Sequence, residues 1–148
     1  MSTLKERLGM KGRLHIVLRD EFGNIKDERF IDNLIVSGGK TFAASRMVGV
    51  ASNVMSHMAV GTVNTAEVVG DTALGAEIAR VALASGTSSG NVVTYTATFV
   101  AGTGTGALVE AGIFNAVSGP TMLNRATFPV VNKGGGDTMT ITWTVTFN

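Results

Sequence analysis

The sequence contains no cysteine, which excludes disulfide scaffolds, thiol catalysis and cysteine-held zinc or iron, and leaves the redox compartment open. Its two histidines, His15 and His57, are too few for a multi-histidine metal site. Charged residues make up 16% of the 148, well below the usual quarter or so, and the formal net charge is +1. That balance supplies no electrostatic reason to expect nucleic acid or a membrane surface as partner. No run of about 20 apolar residues could span a bilayer. The polar, basic stretch Met1–Gly12 lacks the apolar centre of a secretory signal, so synthesis and folding in a cytoplasm are expected.

Glycine is abundant, at 19 residues, and proline scarce, at 2. A chain of this length buries roughly 70% of the surface its unfolded form exposes, enough for one self-sufficient core. Charge is uneven: nine of the twelve Lys and Arg precede position 47, and the remainder of the chain is nearly uncharged. Leu14, Ile16 and Leu18 alternate with Arg13, His15, Val17 and Arg19, the period-2 pattern of a strand with one buried face. The turn residues Asp20–Asn24 follow, so Arg13–Phe30 reads as a β-hairpin with Gly23 near its tip.

Gly38–Ala51 is the one helix candidate, with Phe42, Met47 and Val48 as its apolar stripe and Ser37 or Thr41 as its cap. His57–Gly61 reads as a short strand and Thr62–Asp71 as a polar loop. Strands are then predicted over Ile78–Ala84, Val92–Ala101, Ala107–Asn115 and Met122–Val131, with turns at Ser85–Gly90 and Gly102–Gly106 and a bulge ending near Val117 and Ser118. In the last segment Met139, Ile141, Trp143, Val145 and Phe147 alternate with Thr138, Thr140, Thr142, Thr144 and Thr146, which sets a large apolar face against one made only of threonine. Turn-separated strands without crossover helices predict a mainly β fold, an antiparallel β-sandwich of jelly-roll type with one short helix. The expected division is an arm over 1–12 and a single domain over 13–148.

Chemistry-bearing patterns are sparse. Gly39-Lys40-Thr41 resembles the end of a phosphate-binding loop, but Leu34 occupies the position of its first glycine. Gly102-Thr-Gly104-Thr-Gly106 lacks dinucleotide-binding spacing and has no helix after it. The paired acids Asp20/Glu21 and Asp27/Glu28 flank a turn, and neighbours on a strand face opposite ways, so neither pair can converge on one bond as acid and base. No Gly-x-Ser-x-Gly elbow or calcium loop occurs. The expectation is a protein without catalytic activity, cofactor or metal. Asp71, Glu77, Arg80, Glu110 and Arg125 stand out as isolated charges in the uncharged region and are expected to pair, within the chain or across a subunit boundary.

Several segments together resemble a family of small virion structural proteins of tailed bacteriophages. They are His57-Met-Ala-Val-Gly-Thr62, Asp71-Thr-Ala-Leu-Gly-Ala-Glu-Ile-Ala-Arg80, Val92–Phe99, Glu110-Ala-Gly-Ile-Phe-Asn115, Thr121–Arg125 and Asp137–Trp143. The resemblance covers about the last two thirds of the chain. It implies a capsid decoration, or cement, protein on the outer surface of the head, partnered by the major capsid protein. A baseplate or tail-fibre module is the alternative, and a carbohydrate-binding module is a more distant one. Low surface charge and the resemblance together imply a homo-oligomer, with a trimer favoured. Leu4, Lys5, Arg7, Leu8, Lys11 and Arg13 are the candidate capsid-attachment residues: they combine basic charge with apolar anchors spaced for one side of a short helix.

Overall fold

A computed structural model describes residues 9–50 and 53–148. Nine strands and one helix follow in the order β1 (Met10–Arg19), β2 (Ile25–Ile35), α1 (Ser37–Arg46), β3 (His57–Gly61), β4 (Glu77–Ala82), β5 (Ser85–Ser89), β6 (Val92–Phe99), β7 (Gly106–Phe114), β8 (Met122–Lys133) and β9 (Thr138–Phe147). All pairings are antiparallel, in the order β4-β3-β7-β8-β2-β1-β9-β6-β5. This ladder folds into the two sheets of a β-sandwich. β2 joins them: most of it pairs with β1 in the first sheet, while Leu34 and Ile35 pair with Arg125 and Asn124 in the second. At the far edge, Leu83 N–H donates to Ser56 O and Ala84 N–H to Thr96 O, which carries the chain from β4 in the second sheet to β5 in the first. The order rests on four hairpins, β1–β2, β3–β4, β5–β6 and β7–β8, and does not confirm the jelly-roll form of the expectation.

Alternation places Leu14, Ile16, Met139, Ile141, Trp143 and Val145 from the first sheet against Met58, Val60, Leu108, Ile113 and Val131 from the second, all buried. Trp143 finds a partner for its indole N–H in Asn33 Oδ1 on β2, at 3.0 Å. A Cβ on Gly12 of β1 would stand 2.1 Å from that oxygen, so glycine is what lets Asn33 reach across.

Several boundaries differ from the sequence-based expectation. β1 begins at Met10, inside the expected arm, because Met10, Lys11 and Gly12 continue its ladder against Phe147, Thr146 and Val145. The expected turn at Ser85–Gly90 is instead the edge strand β5 plus a tight turn at Gly90 (φ 57°): pairing with β6 overrides the weak strand propensity of Ser and Gly. α1 stops at Arg46, and Gly49 (φ 67°) lies in the turn after it. Of its expected stripe, Phe42 packs on the core, while Met47 and Val48, past the last helical turn, are 88% and 80% exposed. Ala51, the expected helix end, lies outside the described residues. The N-cap is Val36, with no side-chain cap; Ser37 N–H donates to Val69 O instead. Phe147, expected inside, is 39% exposed at the end of the sandwich. The register shifts of β7 and β8 fall at Leu108/Glu110 and Ile113/Phe114, and 117–118 belong to their connection.

Candidate functional site

The two outer faces of the sandwich are treated differently. On the second sheet, β7 turns Glu110 and Phe114 away from the main core, and the segment from 62 to 76 lies across them. Glu110 is fully buried. Its Oε2 accepts N–H bonds from Val63 (3.0 Å) and Ala76 (2.8 Å), and its Oε1 accepts from Gly75 N–H (2.7 Å) and Arg125 Nε (3.1 Å). Arg125, also buried, donates to Asp71 Oδ2 at 3.1 Å. Glu67 accepts from the N–H and hydroxyl of Thr127. A second, smaller core forms beneath, from Val36, Ala59, Leu74, Phe114 and Met122. A Cβ on Gly61 would stand 2.5 Å from both Ala76 O and Glu110 Oε2, so the strap closes only over glycine. Arg80 pairs with Glu77 at 2.6 Å, donates to the carbonyls of Ala116 and Gly119, and sets its guanidinium 3.7 Å from the centre of the Phe114 ring. The isolated charges thus pair within the chain, and they cover this face.

Among the described residues no segment lies across the outer face of the first sheet. Register aligns β1 between β2 and β9, so Lys11 stands beside Thr146, Arg13 between Asp32 and Thr144, and His15 between Phe30 and Thr142. Farther across, Thr94, Thr96 and Thr98 of β6 oppose Thr144, Thr142 and Thr140 of β9, and the exposed Ser85 and Thr87 of β5 extend the surface. Stiff, neighbouring threonines shield one another and are half-buried. At the β1–β2 side the His15 ring stacks on Phe30, with centroids 4.3 Å apart and planes at 5°. The Arg13 guanidinium lies 4.9 Å from the same ring centre, and His15 Nε2 is 2.6 Å from Glu28 Oε2. Two shallow depressions sharing Arg13 and Thr144 flank this cluster. One, of about 530 Å³, is lined by Lys11, Gly12, Arg13, Asp32, Asn33, Thr144 and Thr146; the other, of about 450 Å³, by Arg13, His15, Phe30, Thr142 and Thr144.

Of the candidate attachment residues, Lys11 and Arg13 meet on this face, both exposed. Leu4, Lys5, Arg7 and Leu8 lie outside the described residues. Sequence reasoning missed Phe30 and Asp32 as neighbours of Arg13, and Glu28 as the partner of His15, although counting back from the hairpin turn places Phe30 close to opposite His15. His57 is half-buried, with Nδ1 2.8 Å from Ser56 Oγ.

The arrangement can bind through hydrogen bonds, one cationic–aromatic cluster and a field of short hydroxyls. Among the described residues no group of three or more His, Asp or Glu side chains is placed to hold a metal ion, and no helix is long and apolar enough to cross a membrane. No family model, curated protein or solved structure matches the chain.

Proposed function

We propose that this chain is a non-enzymatic bacteriophage capsid cement protein. It attaches through the outer face of its first sheet to the outside of the head and bridges neighbouring major-capsid subunits, as a homo-oligomer with trimeric symmetry. One observation carries the attachment surface: a chain with few charges buries Glu110 and Arg125 beneath a segment that covers one outer face, while no described segment lies across the other. That open face costs little to immobilise, because threonine loses little side-chain entropy on contact and the Arg13–Phe30–His15 cluster is already ordered. Several modest contacts of one oligomer then reinforce one another through effective concentration. The virion context rests on the resemblance of the segments described above.

The test is co-sedimentation with phage heads stripped of this protein. Changing Arg13→Glu together with Thr144→Lys is expected to weaken binding about tenfold or more while leaving the melting temperature nearly unchanged. Raising salt is expected to weaken binding by the wild type. Undiminished binding by the double variant would overturn the assignment of this face. Densitometry of purified virions tests the location: hundreds of copies fit a shell component, and a few to a few tens would overturn the head assignment in favour of the tail. Deleting residues 2–8, which leaves all of β1 in place, measures the share of attachment owed to Leu4, Lys5, Arg7 and Leu8.

A further inference from the structure

The β1–β2 hairpin carries an exposed aromatic at one end and borders an apolar groove at the other. At the tip, Phe22 is 81% exposed and Ile25 51%. The backbone that presents Phe22 is held tightly. Asp20 Oδ1 accepts from Phe22 N–H and Asn24 N–H, each at 2.9 Å, Asp20 N–H donates to Asn24 O, Gly23 N–H donates to Asp20 O, and Gly23 takes φ 85°. Arg19 adds a bond to Gly23 O at 3.1 Å. These bonds order the backbone that carries the exposed ring, so part of the ordering cost of a binding anchor is met before association.

The groove lies at the start of β1, beside α1. Met10, Lys40, Ala44, Met47 and Phe147 line a depression of about 600 Å³, with the nearly bare Met47 on its wall. Ten residues of β1 at about 3.3 Å each separate tip from groove by roughly 30 Å. The two features therefore cannot meet within one molecule, yet they match chemically. The tip offers a phenyl ring flanked by the acid Glu21; the groove offers apolar walls beside the base Lys40, and both charged side chains are exposed.

We infer that the Phe22 tip of one copy of this chain seats in the α1–β9 groove of the next. The contact is heterologous, head to tail, and closes into a ring when the rotation between copies allows it. It rests on the self-association part of the function proposed above and is independent of the virion.

Light scattering across micromolar concentrations tests it. The wild type is expected at a multiple of 15.3 kDa, with Phe22→Ala and Lys40→Glu each raising the dissociation constant of self-association about tenfold or more while the circular-dichroism spectrum of the folded chain is unchanged. The exchange Glu21→Lys with Lys40→Glu is expected to recover part of the loss, which a general surface effect would not do. A wild type that stays at 15.3 kDa overturns both this contact and the proposed oligomer. An oligomer indifferent to Phe22→Ala and Lys40→Glu overturns the contact alone. So does restoration of the monomer only by deleting residues 2–8, which would identify that segment as the mediator of self-association.

Discussion

Trp143 shows how much one side chain organises. It is fully buried in the first sheet's inner face and would expose an unpaired indole N–H were Asn33 not 3.0 Å away, and Asn33 reaches it only because residue 12 has no Cβ. Three strands are thereby committed to one register. Trp143→Ala removes the ring and strands Asn33 Oδ1; it is expected to cost about 3–5 kcal/mol, read as a shift in the denaturation midpoint. A variant as stable as the parent would contradict the burial described. Asn124, also fully buried, finds no hydrogen-bond partner for its side-chain amide among the described residues, and nothing in the structure explains that choice.

At the scale of elements, the segment from 62 to 76 is coil whose order comes from other parts of the chain. Its N–H groups at Val63, Gly75 and Ala76 end on one carboxylate, Glu110, which Arg125 neutralises. Glu110→Gln presents an amide NH₂ where a carboxylate oxygen met only donors, and it leaves Arg125 with Asp71 as its acidic partner among the described residues. Breaking a buried pair in this way costs about 3–5 kcal/mol. The strap is expected to loosen before the sandwich unfolds, so hydrogen exchange at Gly75 and Ala76 and proteolysis within 62–76 should accelerate more than exchange in β9. Equal acceleration everywhere would show that Glu110 stabilises the whole fold without holding the strap.

For the whole molecule, Asp137 joins parts distant in sequence. It accepts from Lys26 Nζ at 2.7 Å and from Gly134 N–H at 2.7 Å, tying β2 to the connection that crosses from β8 to β9. The Lys26 ammonium, with the Gly134 N–H, holds its carboxyl below the ordinary carboxylate value, and bonds from Asn24 and Phe22 N–H do the same for Asp20. A depressed folded value means the carboxylate's contribution is complete above about pH 4 and is lost as pH falls through the folded value. The melting temperature is therefore expected to fall on acidification below about pH 4, and Asp137→Asn is expected to flatten that part of the profile. An unchanged slope would place the acid sensitivity in other groups. Lys133, buried nearby with Nζ 3.0 Å from Val100 O, is pushed below the usual lysine range by burial, with Asp137 opposing the shift.

Strict alternation was enough to make the β9 register legible, because only one phase of that strand hides Met139, Ile141, Trp143 and Val145, and a slip by one residue would bury threonines instead. The β1–β2 hairpin was legible for the same reason, with turn residues at Asp20–Asn24. What local pattern could not supply was any property set by a distant neighbour. Ser85–Ser89 has turn composition and becomes a strand because β6 offers a ladder. The start of α1 needs no side-chain cap because Val69 O receives the Ser37 N–H. Gly39 is required because a Cβ there would stand 2.1 Å from Leu123 O. The candidate face divides in the same way. Its threonines were visible as a period-2 row, whereas the meeting of Arg13, His15 and Phe30 depends on strand pairing. That the opposite outer face is covered depends on where the buried carboxylate of Glu110 finds its donors.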